Sequence, residues 1–264
     1  MATKKLAQQD LLETIFSATD DDIDPNDSSA MTLIEHLEEL RKRIFFSAIA
    51  LVITSIIAFV FRNQIVYLLS LPLPTNQSDV IGHKLVVTGI TEGFTVFLMI
   101  SIAAGFIIAI PFTLYQLWAF ISPGLLEKEK KYAVPFIVVG IVLFAAGITL
   151  GYIVLRYPVE WLVNFASASF TELVTAGSYF TFVAFFLLAF GIVFEIPLVL
   201  TFLAQIDIIS SKLLIKKRAA SHVGMWIAST FLTPGADLYS PIFLGVAMSC
   251  LFELTIIFIK IIKK

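Results

Sequence analysis

Residues 179–205 read YFTFVAFFLLAFGIVFEIPLVLTFLAQ, a run of 27 positions with one charged residue, Glu195. About 20 apolar residues suffice for a helix to cross the ~30 Å hydrocarbon core of a bilayer. The run lacks the period-2 alternation of a membrane-barrel strand, so it reads as a spanning helix. Five further apolar stretches lie around it, at 44–61, 94–121, 133–155, 219–232 and 242–259. The stretch 219–232 has 14 residues, about 21 Å of helix at ~1.5 Å per residue, which is short of the core. Thr233-Pro234-Gly235-Ala236-Asp237 then signals a tight turn, and another apolar run follows. The pair reads as a short helical hairpin that thins the bilayer or tilts its neighbours. Pro111 and Pro197 lie deep in the second and fourth stretches, where each removes a backbone hydrogen bond and kinks its helix. Pro135 falls in the first turn of the third, where proline is tolerated. The expected fold is an all-α membrane protein of six transmembrane helices, with kinked second and fourth helices, a short final hairpin and a concave groove. Gly147 and Gly151, four apart, permit a close helix contact.

Composition agrees with this reading. The chain has 264 residues, 58% hydrophobic and 14% charged, with a mean hydropathy of +0.93. A soluble domain is about 25% charged, so a soluble enzyme is excluded. A net charge of −2 argues against a nucleic-acid partner. One cysteine, Cys250, excludes a disulfide framework and a cysteine metal cluster. No metal or other cofactor is expected. Residues 1–30 carry Asp20, Asp21, Asp22, Asp24 and Asp27 and read as a disordered acidic tail, with 31–264 as the membrane domain.

The basic residues orient the bundle. Of 18, only Arg62, Lys84 and Arg156 fall on one side of a six-crossing chain; the other 15 share the side of both termini. The positive-inside rule places that side in the cytoplasm, or the stroma of an organelle.

The polar residues within this frame are few. Glu195 lies about ten residues from the basic loop at 212–218, or ~15 Å along a helix, near mid-bilayer. An acid there costs about 2.5–3.5 kcal/mol on insertion scales. It either hydrogen-bonds the carbonyl freed by Pro197 or meets a polar partner or substrate. Glu253 reads as a snorkelling ion pair near Lys260, Trp118 as an interfacial anchor, and His222 as a helix–helix hydrogen bonder. Residues 32–43 form an amphipathic helix with a Thr32–Glu35 capping box and an apolar stripe of Leu33, Leu37 and Leu40. Glu35 and Glu39 are i,i+4 neighbours that suit a cationic ligand; equally, Glu39 pairs with Arg43 on a solvated face. On the same side, residues 122–131 turn at Pro123-Gly124 and alternate Glu127 and Glu129 with lysines.

Enzyme chemistry finds no footing. The chain lacks a phosphate-binding Gly-x-x-x-x-Gly-Lys-[Ser/Thr] loop, a Gly-x-Ser-x-Gly elbow and a His-Glu-x-x-His helix. Glu38-Glu39 with Arg43 matches the Glu-Glu-x-x-x-Arg signature of intramembrane CAAX-type proteases, but those need convergent histidines that His36, His83 and His222 do not supply. A small-molecule secondary transporter is the alternative reading. It calls for an internal repeat with matched broken helices, and none is visible.

Several motifs, in order, resemble those of the TatC family, the multispanning receptor subunit of the twin-arginine protein translocase. They are His36 to Arg43 (HLEELRKR), Pro72-Leu73, Tyr115 to Leu125 (YQLWAFISPGL) with Glu129-Lys130-Lys131, Phe194-Glu195-Ile196-Pro197, Lys216-Lys217-Arg218, Thr233-Pro234 with Asp237, and Leu251-Phe252-Glu253. The resemblance runs from about residue 31 to 260. It implies a receptor and scaffold that binds twin-arginine signal peptides. With TatA/TatB-type single-span partners, such a receptor exports folded proteins at the expense of the proton-motive force. It implies a signal-peptide site at Glu39, Arg41, Phe120 and Glu129, a partner or signal contact at Glu195, and structural or transport roles for Pro72 and Asp237 in the outer loops. It also implies assembly with itself and its partners in a bacterial plasma membrane or a thylakoid. The last outer loop departs from the family's commoner Thr-Pro-Pro-Asp by one residue, and Pro241 stands where a glutamine is frequent.

Overall fold

A computed structural model describes residues 33–74, 85–124, 130, 133–165, 174–235 and 237–262. The expected tail at 1–30 and Thr32 of the capping box lie outside the described residues.

Ten α-helices make up the described fold: α1 (Leu33–Val60), α2 (Arg62–Ser70), α3 (Glu92–Ile121), α4 (Ala133–Val154), α5 (Arg156–Phe165), α6 (Ala176–Val193), α7 (Ile196–Gln205), α8 (Ser211–Lys216), α9 (Arg218–Leu232) and α10 (Tyr239–Ile262). Five helical stretches are long and apolar enough to cross a membrane: Ile34–Val60, Glu92–Gly124, Ala133–Phe165, Ala176–Gln205 and Tyr239–Ile262. Helix α9 has 15 residues, about 22 Å by helix rise, and stays below that length.

The helix expected at 32–43 forms over 33–43, but not as a separate element. Residues 33–43 run without a break into the first span, because no proline or glycine interrupts 33–60. The fourth stretch is two helices, α6 and α7, separated at Phe194-Glu195. Pro197 sits in the first turn of α7, where its missing N–H costs nothing. Helix α3 passes through Pro111 unbroken. Helices α2 and α5 were not expected. Both continue from a spanning helix at the end of the bundle opposite its basic residues.

The core sits around α6. Phe186 and Phe190 are fully buried there, their rings tilted 37° with centroids 4.8 Å apart, with Leu155, Leu244 and Met248 in the same cluster. Glycine makes the close approaches possible. A Cβ on Gly147 would lie 2.6 Å from the Phe190 carbonyl, and one on Gly151 would lie 3.0 Å from the Phe190 side chain. This brings α4 against α6, as the four-residue spacing implies. Gly105 does the same between α1 and α3, where Thr54 Oγ1 donates to the Gly105 carbonyl at 2.8 Å. The outward faces of α1, α3 and α4 stay apolar and exposed, through residues such as Ile53, Ile102 and Val142. A spanning helix presents such a face to lipid.

The ends differ in chemistry. Arg41, Lys42, Arg43, Lys130, Lys216, Lys217, Arg218 and Lys260 lie at one end, with the end of α3 and the start of α4. Arg62 and Arg156 are the described basic residues of the other. Trp118 belongs to the first end, but it is no interfacial anchor. It is buried against Phe136 at 5.3 Å and Phe202 at 5.6 Å, because α3, α4 and α7 converge there and the three rings fill the gap.

Candidate functional site

At the basic end the start of α1 lies against the end of α3. The His36 ring stacks on Phe120 with centroids 4.3 Å apart and planes 15° from parallel. Two helical turns on along α1 and one turn back along α3, Arg43 joins the same two helices. Its Nη1 donates to Gln116 Oε1 and its Nη2 to Glu39 Oε1, both at 3.0 Å. The Glu39–Arg43 pair anticipated from i,i+4 spacing therefore forms, but not on a solvated face. The Glu39 side chain is 14% exposed, and Gln116 is buried. Glu39 Oε2 and Arg43 Nε are both buried without a hydrogen-bond partner. An unpaired carboxylate oxygen away from water is costly, and an incoming donor relieves that cost. Arg41 is exposed beside this pair. Glu129 lies outside the described residues.

Glu195 occupies the break between α6 and α7. Its backbone is satisfied: its N–H donates to the Ile192 carbonyl and its own carbonyl accepts from Val199 N–H, each at 3.0 Å. The side chain reaches toward α4, where a Cβ on Gly140 would lie 3.3 Å from Oε2. Glycine at 140 leaves room for the carboxylate beside Leu114 and Leu198. Both Glu195 oxygens are buried and unpartnered. The bond to a carbonyl freed by Pro197 is thus absent.

The hairpin of α9 and α10 carries the remaining polar cluster. His222 bridges the two helices as the sequence implies, with Nε2 2.8 Å from Glu253 Oε1 and Nδ1 3.2 Å from Ser249 Oγ. Glu253 pairs with Arg218 and His222, not with Lys260. Lys260 is seven residues further along the same helix, whereas α9 presents Arg218 directly across the hairpin.

At the opposite end the outer-loop candidates serve backbone. Asp237 Oδ1 accepts from Ser240 N–H at 2.6 Å and caps the start of α10, while its buried Oδ2 has no partner. Pro72 follows α2 in a turn where Leu73 N–H donates to Ser70. The last carbonyls of α2 are held by two hydroxyls. Tyr152 donates to Leu68 O at 2.7 Å and Tyr179 to Leu69 O at 2.6 Å.

Residues outside the sequence reading complete this end. Glu92 Oε2 accepts from Thr88 N–H, Thr88 Oγ1 and Gly89 N–H at 2.6, 2.8 and 3.2 Å, and its Oε1 accepts from Gly177 N–H at 2.9 Å. It ties the start of α3 to the start of α6. An acid just ahead of an apolar run is the signal that finds it. Gln116 entered the sequence reading only within the Tyr115 to Leu125 motif, and an amide within an apolar stretch is the signal that finds it. Among the described residues no group of three or more His, Cys, Asp or Glu is placed to hold a metal.

Comparison with known proteins gives this arrangement its context. Residues 35–246 match the family model for the Sec-independent protein translocase protein TatC. A TatC protein of Carboxydothermus hydrogenoformans is 39% identical over 234 residues, covering 88% of this chain and 94% of the relative. TatC of Escherichia coli K12 is 33% identical over 228 residues, covering 86% and 87%. A crystal structure of the twin-arginine translocase receptor TatC superposes with a TM-score of 0.74 at 32% identity, covering 87% of this chain and all of the other. Nothing in these matches favours a small-molecule transporter. The chain belongs to the TatC family, the receptor component of the twin-arginine, Sec-independent protein translocase.

Proposed function

We propose that the basic end is where the receptor takes twin-arginine signal peptides, with Glu39 as the principal acceptor. The observation that carries this is Glu39 itself, with one oxygen on Arg43 and the other buried without a donor. A guanidinium brings five N–H donors in a planar fork and matches a carboxylate better than any other side chain. Phe120, stacked on His36, fixes the wall beside it. Arg41 and Glu129 complete the site by family resemblance. Both termini then face the cytoplasm or stroma, α9 counts as a sixth, short crossing, and the basic residues at this end obey the positive-inside rule. The membrane is a bacterial plasma membrane or a thylakoid. TatA/TatB-type helices and further copies of the receptor assemble laterally, and the proton-motive force drives export. Glu195, with two unpartnered oxygens, is the polar contact for a partner helix or the signal. Pro72 and Asp237 shape the outer loops. The protein acts as a scaffold and not as an enzyme.

The test is photo-cross-linking of a twin-arginine signal peptide to the receptor in membranes. The Glu39→Ala, Glu129→Ala double variant is expected to lose the cross-link; full-strength cross-linking would reject the site. Glu195→Ala is expected to keep the cross-link and to lose export of a twin-arginine reporter in cells lacking their own receptor. Normal export would return Glu195 to a packing role.

A further inference from the structure

A groove of about 520 Å³ opens on the membrane-facing side between α1 and α3, walled by apolar surface alone. Leu51, Ser55 and Phe59 line it from α1, and Phe94, Leu98 and Ser101 from α3. The two serines expose no polar surface to it. Ser101 Oγ donates to the Phe97 carbonyl at 2.6 Å, and Ser55 presses on Gly105. The groove follows α1 from Leu51 to Phe59, about 12 Å at ~1.5 Å per residue. One leaflet of a ~30 Å core is about 15 Å deep. The groove therefore spans one leaflet, the one at the end opposite the basic cluster.

A cation stands at its mouth. Arg62 lies one turn beyond Phe59, and its guanidinium carbon is 4.9 Å from the Phe59 ring centroid and 5.6 Å from that of Phe97. Its Nη1 donates to the Phe59 carbonyl at 3.1 Å, which α1 leaves open where it ends. The two rings and the Phe59 carbonyl hold the guanidinium in place, and a guanidinium carries further N–H donors beyond the one used there. A fixed planar cation one turn above an apolar slot has the geometry of a phosphate site over hydrocarbon. We propose that this groove binds one anionic phospholipid of that leaflet, with its phosphate on Arg62 and its acyl chains between Phe59 and Phe94. The groove is apolar along its length, about one leaflet deep, and has a cation at its mouth, which matches the acyl chains and phosphate of a lipid.

The experiment uses the full-length receptor in nanodiscs with phosphatidylglycerol carrying a diazirine on one acyl chain. Photo-adducts are mapped by mass spectrometry, and diacylglycerol with the same diazirine serves as the phosphate-free control. The expected adducts concentrate on 51–59 and 94–102 over the exposed face of α4, and phosphatidylglycerol exceeds diacylglycerol several-fold. Arg62→Gln brings the two probes to the same level. Leu98→Trp, which fills the slot, removes the adducts of both. Even labelling of all lipid-facing helices, or a phosphatidylglycerol signal unchanged by Arg62→Gln, would overturn the site. So would efficient disulfide formation between two Ile56→Cys copies in membranes, since a second receptor would then cover the groove. Arg62→Gln stands outside the core, so its readout survives if the tryptophan variant fails to fold.

Discussion

Glu39 and Glu92 sit at opposite ends of the same helix pair and do opposite things with a carboxylate. Glu92 accepts four hydrogen bonds, three from the loop ahead of α3 and one from the start of α6. Glu39 accepts one described bond, from Arg43, and holds its other oxygen buried and empty. A saturated carboxylate fastens backbone to backbone. A half-occupied one retains capacity for a donor from outside. The end around Glu92 is further locked by Tyr152 and Tyr179 on the α2 carbonyls and by a parallel bridge between Val86 and Thr175. At the basic end α1 and α3 are joined by a ring stack and a single arginine. One end is fastened backbone to backbone, and the other keeps the unpartnered acceptor on which the proposed peptide site rests.

This contrast separates stability from binding in mutants. The largest loss of stability is expected for Glu92→Ala, which removes every one of those four bonds and orphans the Gly177 N–H. Its melting temperature in detergent should fall further than that of any other variant discussed here, while signal-peptide affinity measured below the melt stays unchanged. Gly177→Ala should reproduce the defect more mildly, since its Cβ would lie 2.7 Å from Glu92 Oε1 and push the carboxylate away. Glu39→Ala should do the reverse. It should weaken signal-peptide binding about 10- to 100-fold, the worth of about 1.5–3 kcal/mol in charge-assisted bonds, with little change in melting temperature. A binding defect in Glu92→Ala equal to that of Glu39→Ala would abolish the distinction between the ends. A smaller stability loss, about 1–2 kcal/mol, is expected for Tyr179→Phe, which leaves the Leu69 carbonyl without its hydroxyl donor. An unchanged melt would mean that water satisfies that carbonyl.

The pattern of apolar runs carried most of the fold. The span boundaries at 94–121 and 133–155 fall within two residues of α3 and α4, because lipid-length apolar runs with polar ends leave little freedom. Helices α2 and α5 escaped notice because each is short and mixed in polarity, RNQIVYLLS and RYPVEWLVNF, and looks like a loop between spans. The merger of 33–43 with the first span also escaped, since amphipathic and apolar periodicity are the same helix to the backbone. Within the site, Glu39 and Phe120 were legible as motif residues. Gln116 as the second anchor of Arg43 was not, because 73 residues separate them in sequence and only the α1–α3 packing brings them together. Trp118 misled for the same reason. A tryptophan near a span end is usually a belt residue, but here three helix ends meet around it.

Gln116 also supplies the finest test of how Glu39 is kept open. Arg43 divides its fork, with Nη1 on Gln116 and Nη2 on Glu39. That division keeps the arginine on one carboxylate oxygen and leaves Oε2 unpartnered. In Gln116→Leu the N–H released by the amide needs a new acceptor in a largely buried place, and Glu39 Oε2 is the nearest unpartnered oxygen on α1. Arg43 then closes both prongs on Glu39, in the bidentate geometry that guanidinium and carboxylate favour. The charge of the site is unchanged, yet its open acceptor is gone. Signal-peptide affinity should fall about fivefold, equivalent to about 1 kcal/mol, and Gln116→Leu combined with Arg43→Gln should recover it. If Gln116→Leu binds as tightly as the parent, Oε2 is not the atom that receives the signal arginine. The guest must then displace Arg43 from Oε1, and the basic end becomes a site of exchange between two arginines.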